Sequence, residues 1–271
     1  NGFQYAKDRG YAFEQKLNEN TDGLLRKTLK EYLVPEANAE IPTMFFNSMI
    51  NRDGRKMIIS THPVRFLMRP TLHAENSMSV DPDAVDFNSF FSKQDGMNLN
   101  ILSALRMSAT FPYVLPNVWL PTEPVIDVMD AGMRDNFGQE ASLRFMDVFK
   151  DWLQANTSKV VLLQIRDRSL DNWDKPFESN NFISLLTKPF LVLQHNWYKL
   201  QDYYQHDQLQ YMSEAYGHGF YRVCFQYVPS KNDAPASLSF HLTAAEKRDI
   251  ALALDNPANK EQFEKLKQIM R

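Results

Sequence analysis

The residues best placed to do chemistry lie between Asn100 and Gly138. The stretch reads N-I-L-S-A-L-R-M-S-A-T-F-P-Y-V-L-P and then, past a proline-punctuated passage, V-I-D-V-M-D-A-G-M-R-D-N-F-G. In the second block a short apolar run, Val125 to Met129, ends in Asp130-Ala131-Gly132. A carboxylate carried on a strand-end turn can take a proton directly from a hydroxyl, provided poor solvation raises its basicity. The same Asp-x-Gly pattern suits a turn aspartate that bonds its own backbone. Residue types alone leave both roles open. Arg106 and Ser108 in the first block are candidates to line such a site. Ser108 equally suits a hydrogen bond at a helix end.

Other reactive residues point away from chemistry. The six histidines include no H-x-x-H or H-E-x-x-H pair, so no zinc site is expected. His218, in Tyr-Gly-His-Gly-Phe, reads as a turn residue rather than a catalytic base. The single cysteine, Cys224, has no partner for an internal disulfide and excludes Cys-rich zinc sites. It sits in the apolar run Y-R-V-C-F-Q-Y, where a buried, inert thiol is expected. The nine glycines of the 271 residues are never adjacent and never four apart. There is therefore no G-x-S-x-G elbow, no G-x-G-x-x-G and no phosphate loop.

Composition bounds the class. Hydrophobic residues make up 44% and charged residues 23%, enough apolar surface for a full core and too much for a disordered chain. A net charge of -3 gives no bulk attraction to nucleic acid or acidic lipid. No apolar run approaches the roughly 18 residues of a membrane span, so no span is expected in this segment, and peripheral membrane contact is left open for the parent protein. The compartment is not legible. The chain begins at Asn1 and shows no signal peptide, and it reads as a piece of a longer protein.

Periodicity then supplies the elements that must hold these residues. Residues 1 to 33 read as helical with a polar interruption, ended by Pro35. Residues 42 to 60 read as a hairpin turning at Asp53-Gly54, and 70 to 96 as loop. A helix is expected from 98 to 111, stopped by Pro112, and another from 138 to 154. Lys159 to Ile165 reads as a strand apolar on both faces, hence central in a sheet. Residues 180 to 216 form a long amphipathic segment whose aromatic residues (Phe190, Trp197, Tyr203, Tyr204, Tyr211 and Tyr216) suit core packing better than a lipid surface. Phe220 to Val228 is a further strand. Thr243 and Glu246 form a capping box opening a helix through Leu254, and past Pro257 a charged helix closes the chain. Strands alternating with helices indicate an α/β fold.

The blocks around Asp130 resemble the patatin-like phospholipase family. Members carry A-x-R-A-S-x-A-x-P at a helix end, and Ala104, Arg106, Ser108 and Pro112 match it. They then carry D-G-G/A and D-N-x-P, matched by Asp130, Gly132, Asp135 and Asn136, with Ala131 where the family usually has Gly and Gly138 where it often has Pro. The strand pair P-T-M-F-F-N-S-M-I-N-R-D-G-R-K-M-I-I-S-T-H is similar to the family's strand-turn-strand before that helix. Arg9-Gly10-Tyr11-Ala12-Phe13-Glu14 resembles the R-G-x-x-L-E segment that follows the family's nucleophile helix. The blocks occur in family order across residues 8 to 167.

What the resemblance implies is a partial three-layer α/β sandwich with a mixed sheet over residues 1–236, plus a helical appendage over 237–271. It implies hydrolysis of a lipid acyl ester by a Ser-Asp dyad without histidine. Asp130 would be the dyad aspartate, with Gly132, Asn136, Arg106 and Ser108 supporting the site. No metal or organic cofactor and no nucleic-acid partner is implied. The family's serine elbow and glycine-rich oxyanion loop precede everything seen here. The serine is therefore expected from an upstream segment of the same protein, and the chain alone is expected to be inactive. An apolar sheet edge or face left open would be covered by that segment, by self-association or by a partner. The alternative is a non-catalytic lipid- or protein-binding module.

Overall fold

A computed structural model describes residues 7–69, 81–110, 115–167, 182–230, 235–237 and 241–271, the stretch 182–195 as backbone only. The chain is mixed α/β and divides into two compact units, Asn1–Asn136 and Phe137–Arg271. The expected stop at Pro112 and the side chains of His73, Phe190 and His195 lie outside the described residues.

The first unit holds α1 (Arg9–Asn20), α2 (Leu29–Ala37), β1 (Phe46–Ile50), β2 (Lys56–Ile59), β3 (Ala84–Asp86), α3 (Phe87–Phe90), α4 (Ile101–Ser108), β4 (Val118–Leu120), β5 (Ile126–Asp130) and α5 (Gly132–Asp135). The strands form a mixed sheet in the order β3-β2-β1-β5-β4, with β2–β3 parallel and the other pairs antiparallel. Gly54 makes the hairpin turn between β1 and β2 at φ +73°, and its N–H bonds the Ile50 carbonyl at 2.9 Å. Alternation along the strands puts Phe46, Ile50, Met57, Ile59, Val118, Leu120 and Val128 on one face. Ile101, Ala104 and Met107 of α4, with Leu29, Phe87 and Phe91, pack on that face as one buried cluster. The Asn100 side chain starts α4 by accepting from the Leu102 N–H at 3.0 Å.

Two expectations fail in this unit. Pro35 does not end the first helical stretch, because it sits inside α2. A proline removes one donor, here the one that would reach the Glu31 carbonyl. So close to the C-terminus the helix can run on to Ala37. Residues 84 to 98 are not loop: they contribute β3, α3 and two short 3₁₀ turns. Only three residues of β3 are extended, too few for alternation to show in the sequence.

The second unit holds α6 (Gln139–Val148), α7 (Lys150–Asn156), β6 (Val160–Arg166), α8 (Phe182–Tyr216), β7 (Phe220–Gln226), α9 (Ala244–Ala253) and α10 (Pro257–Met270). β6 and β7 pair in parallel from Val160↔Phe220 to Arg166↔Gln226. Val160 and Leu162 face Leu143, Met146, Leu209 and Tyr216 of the helices on one side. Val161, Val223 and Phe225 meet Leu266 and Ile269 of α10 on the other. The closing helix therefore shares this unit's core. The Thr243–Glu246 capping box forms as expected, and Pro257 stands in the first turn of α10.

Among the described residues β6 is an edge strand rather than a central one, its only sheet partner being β7. α10 lies mainly over β7 and meets β6 only near its start, at Val161, which leaves Leu163 48% and Ile165 73% exposed. The aromatic residues of α8 also depart from core packing. Tyr216 is buried, but Trp197, Tyr203, Tyr204 and Tyr211 are exposed. At about 100° per residue, Trp197, Leu200, Tyr204 and Tyr211 fall within roughly 60° of arc, a stripe far round the helix from Leu209 and Tyr216. Apolar content alone could not distinguish this stripe from the buried one. No described helix is long and apolar enough to cross a membrane.

Candidate active site

β5 is held on both edges, by β1 and by β4, and delivers Asp130 at its C-terminal end. The Asp130 N–H donates to the Thr110 carbonyl at 3.0 Å. The Thr110 hydroxyl in turn donates to the Arg106 carbonyl at 2.6 Å, so buried Thr110 ties the end of α4 to the end of β5. Asp130 Oδ1 accepts the Gly132 N–H at 2.5 Å. This is the bond of a turn aspartate to its own backbone. No donor reaches Oδ2 among the described residues.

Glycine at 132 is favoured by close approach rather than by a left-handed backbone. A Cβ there would lie 2.7 Å from Asp130 Oδ1 and 2.9 Å from Asn136 Oδ1. Asp130, Gly132 and Asn136 are thus brought together at the strand end. Ala131 takes φ -69° and ψ -7°, right-handed helical values that any L-residue adopts, so alanine in the family's glycine position is unstrained. Gly138, in the family's proline position, has φ +63°, which a proline cannot adopt; α6 starts at the next residue all the same. Burial pushes the Asp130 carboxyl above its ordinary range, and the Gly132 amide opposes this more weakly. A base of raised pKa, with one oxygen anchored and the other without a donor, can accept a hydroxyl proton.

Arg106 and Ser108 are engaged elsewhere. The Arg106 guanidinium pairs with Glu14 of α1 at 3.1 Å, both side chains being largely buried. It packs against Gly10, where a Cβ would come within 2.9 Å of its Cζ. Gly10 and Glu14 belong to the R-G-x-x-L-E-like segment, so two of the blocks quoted above meet physically. Burial pushes Glu14 upward, with Arg106 opposing. The Ser108 hydroxyl donates to the Ala104 carbonyl at 3.1 Å, the helix-end role open to it from the sequence.

Sequence reasoning missed Thr110 and Ser48. Thr110 stands where the quoted helix-end pattern carries Ala, so matching by residue type passed over it. Ser48 is directly opposite Asp130 on β1 and fully buried. Its signal was a hydroxyl at an inward position between Phe46 and Ile50.

Cys224 is buried, and burial raises its thiol pKa, as for an inert cysteine. His218 sits between Gly217 and Gly219, both at positive φ, in the turn before β7. His62 lies 3.4 Å from the buried Glu36 carboxylate, which also accepts the Thr61 hydroxyl. A cavity lined in part by Thr61, Arg65, Asn88, Ser92 and Met97 does not include Asp130. Among the described residues no group of three or more His, Cys, Asp or Glu could hold a metal ion. Compared with family models, curated proteins and solved structures, the chain matches none of them.

Proposed function

We propose that this chain is the aspartate-bearing part of a patatin-like serine acyl hydrolase that cleaves lipid acyl esters, built as a three-layer α/β sandwich whose nucleophilic serine comes from an upstream segment. The observation that carries this reading is the Asp130–Gly132–Asn136 cluster: a partly desolvated carboxylate at a strand end, anchored through one oxygen. The contact of Gly10 and Glu14 with Arg106 adds support, because it joins two separate blocks of the resemblance. In the reaction the serine Oγ attacks the ester carbonyl while its proton passes to Asp130 Oδ2. The C–O bond to the alcohol then breaks, the alcohol leaves with that proton, and water hydrolyses the acyl-enzyme by the same route. No metal or organic cofactor enters this scheme.

The exposed Trp197, Leu200, Tyr204 and Tyr211 stripe supports a lipid substrate. Tyr and Trp pair an apolar ring with a polar tip and favour the boundary between lipid and water. The same stripe favours the second reading, a module that docks on lipid without chemistry.

Turnover of a p-nitrophenyl ester by the intact protein, by its Asp130→Asn variant and by this chain separates the two. The expected result is turnover by the intact protein, a fall of about 10²–10⁴-fold in the variant, and none from the chain. A folded intact protein that sediments with phosphatidylcholine vesicles yet turns over no ester establishes the second reading instead.

A further inference from the structure

We infer that Ser48 is a positioning residue for Asp130, its hydroxyl donating to Oδ2 and fixing the carboxylate from across the sheet. This rests on the hydrolase reading above for its purpose, but not for its geometry.

Three observations lead to it. First, Ser48 and Asp130 are direct cross-strand partners, so their side chains leave the sheet on the same face. The Asn51 N–H bonds the Asp127 carbonyl at 3.1 Å, which makes 51/127 and 49/129 the hydrogen-bonded pairs of this antiparallel ladder. The 48/130 pair is then of the non-hydrogen-bonded kind, where facing side chains lie closest. Second, Ser48 is 0% exposed and its Oγ has no hydrogen-bond partner among the described residues. A buried hydroxyl without a partner costs about 1–3 kcal/mol, so such groups in folded proteins normally find one. Third, among the described residues the Asp130 carboxylate is anchored through Oδ1 alone, by the Gly132 amide. Rotation about the Cα–Cβ bond of Ser48 turns its hydroxyl toward that carboxylate.

The neighbours leave little competition. On the same face Ser48 is flanked on β2 by Met57, and the residues of α4 packed there are Ile101, Ala104 and Met107. Of the charged groups on adjoining elements, the buried Lys56 of β2 and Asp127 of β5 lie on the opposite face of the sheet by alternation; nearer the strand end are Arg106, paired with Glu14, Arg134, paired with Asp83 at 3.1 Å, and the buried Asp135. None of them enters the balance that sets Asp130, which is burial against the Gly132 amide.

With Gly132 on one oxygen and Ser48 on the other, the carboxylate plane is fixed, and the second lone pair of Oδ2 stays open to the nucleophile's proton. A hydroxyl donated to the charged form also stabilises it. Ser48 would thus limit how far burial raises Asp130, keeping it ionised and able to accept the nucleophile's proton near neutral pH.

The test is ¹³C NMR titration of the Asp130 carboxyl in this 271-residue chain, which needs no turnover. Ser48→Ala should shift the Asp130 midpoint upward, and Ser48→Thr, which keeps the hydroxyl, should restore it. A midpoint unmoved in S48A, or moved equally in S48A and S48T, overturns the assignment. Loss of fold in S48A leaves S48T against wild type as the reading: an upward shift in S48T overturns the assignment, and an unchanged midpoint upholds it. If the intact protein proves inactive while S48A still moves the midpoint, the hydrolase reading fails and the Ser48–Asp130 contact stands.

Discussion

Gly132→Ala separates the stability of the strand end from its chemistry. The backbone at 132 is outside the left-handed region, so alanine brings no φ penalty. What it brings is a methyl group 2.7 Å from Asp130 Oδ1 and 2.9 Å from Asn136 Oδ1. Ordinary contact begins near 3.4 Å, so the two side chains must retreat by about 0.7 and 0.5 Å. Both clashes are with side-chain ends, which can swing aside without moving the main chain. The stability loss is therefore bounded by the weakened Gly132 N–H···Asp130 bond, a charge-assisted bond worth about 1.5–3 kcal/mol. Urea denaturation of the chain should show a loss of about 1–2 kcal/mol with the slope unchanged. Activity should suffer more. A displacement approaching 1 Å at a reacting group costs on the order of 10²-fold, or about 2.7 kcal/mol of barrier. The intact G132A protein, assayed by ester turnover while folded, should show that drop. Wild-type turnover in G132A would refute the reasoning. So would a stability loss above about 4 kcal/mol, which would mean that backbone rather than side chains had moved.

Two further predictions follow from the same geometry. Arg106→Ala leaves Glu14 largely buried without its partner and should cost about 2–4 kcal/mol, with Glu14→Gln recovering part of it in a double-mutant cycle read by urea denaturation; additive effects would contradict the pairing. Asp130→Asn should stabilise the chain at pH 7. The folded pKa of Asp130 is raised, so its contribution is fully present below the unfolded value near 3.8 and is lost as pH rises through the folded value. The gain in Tm of D130N over wild type should therefore be present at pH 7 and vanish by about pH 3; an equal offset at both would contradict it.

The sequence exposed the local elements well and the sheet arrangement poorly. The hairpin at Gly54, the helix at Ile101 and the capping box at Thr243 each follow from a few neighbouring residues. The apolar strand Val160–Arg166 looked central because pattern reports which side chains are apolar, not which neighbour covers them. Its exposed face depends on where α10 packs, a contact nearly a hundred residues away in sequence. The aromatic stripe of α8 was misread for the same reason. At the candidate site, the closeness of Asp130, Gly132 and Asn136 was legible as a motif. The pairing of Arg106 with Glu14 across more than ninety residues was not. Nor was Ser48 opposite Asp130, because strand register is fixed only by the folded sheet.

The central claim is that Asp130 activates a serine in the intact protein. Fluorophosphonate labelling measures this directly, since the probe reacts with activated serines. The intact protein, its Asp130→Asn variant and this chain should be treated side by side. The account predicts labelling of the intact protein at a serine upstream of this chain, and none in the variant or in the chain alone. Labelling that persists undiminished in D130N, or a folded intact protein that never labels, would contradict it.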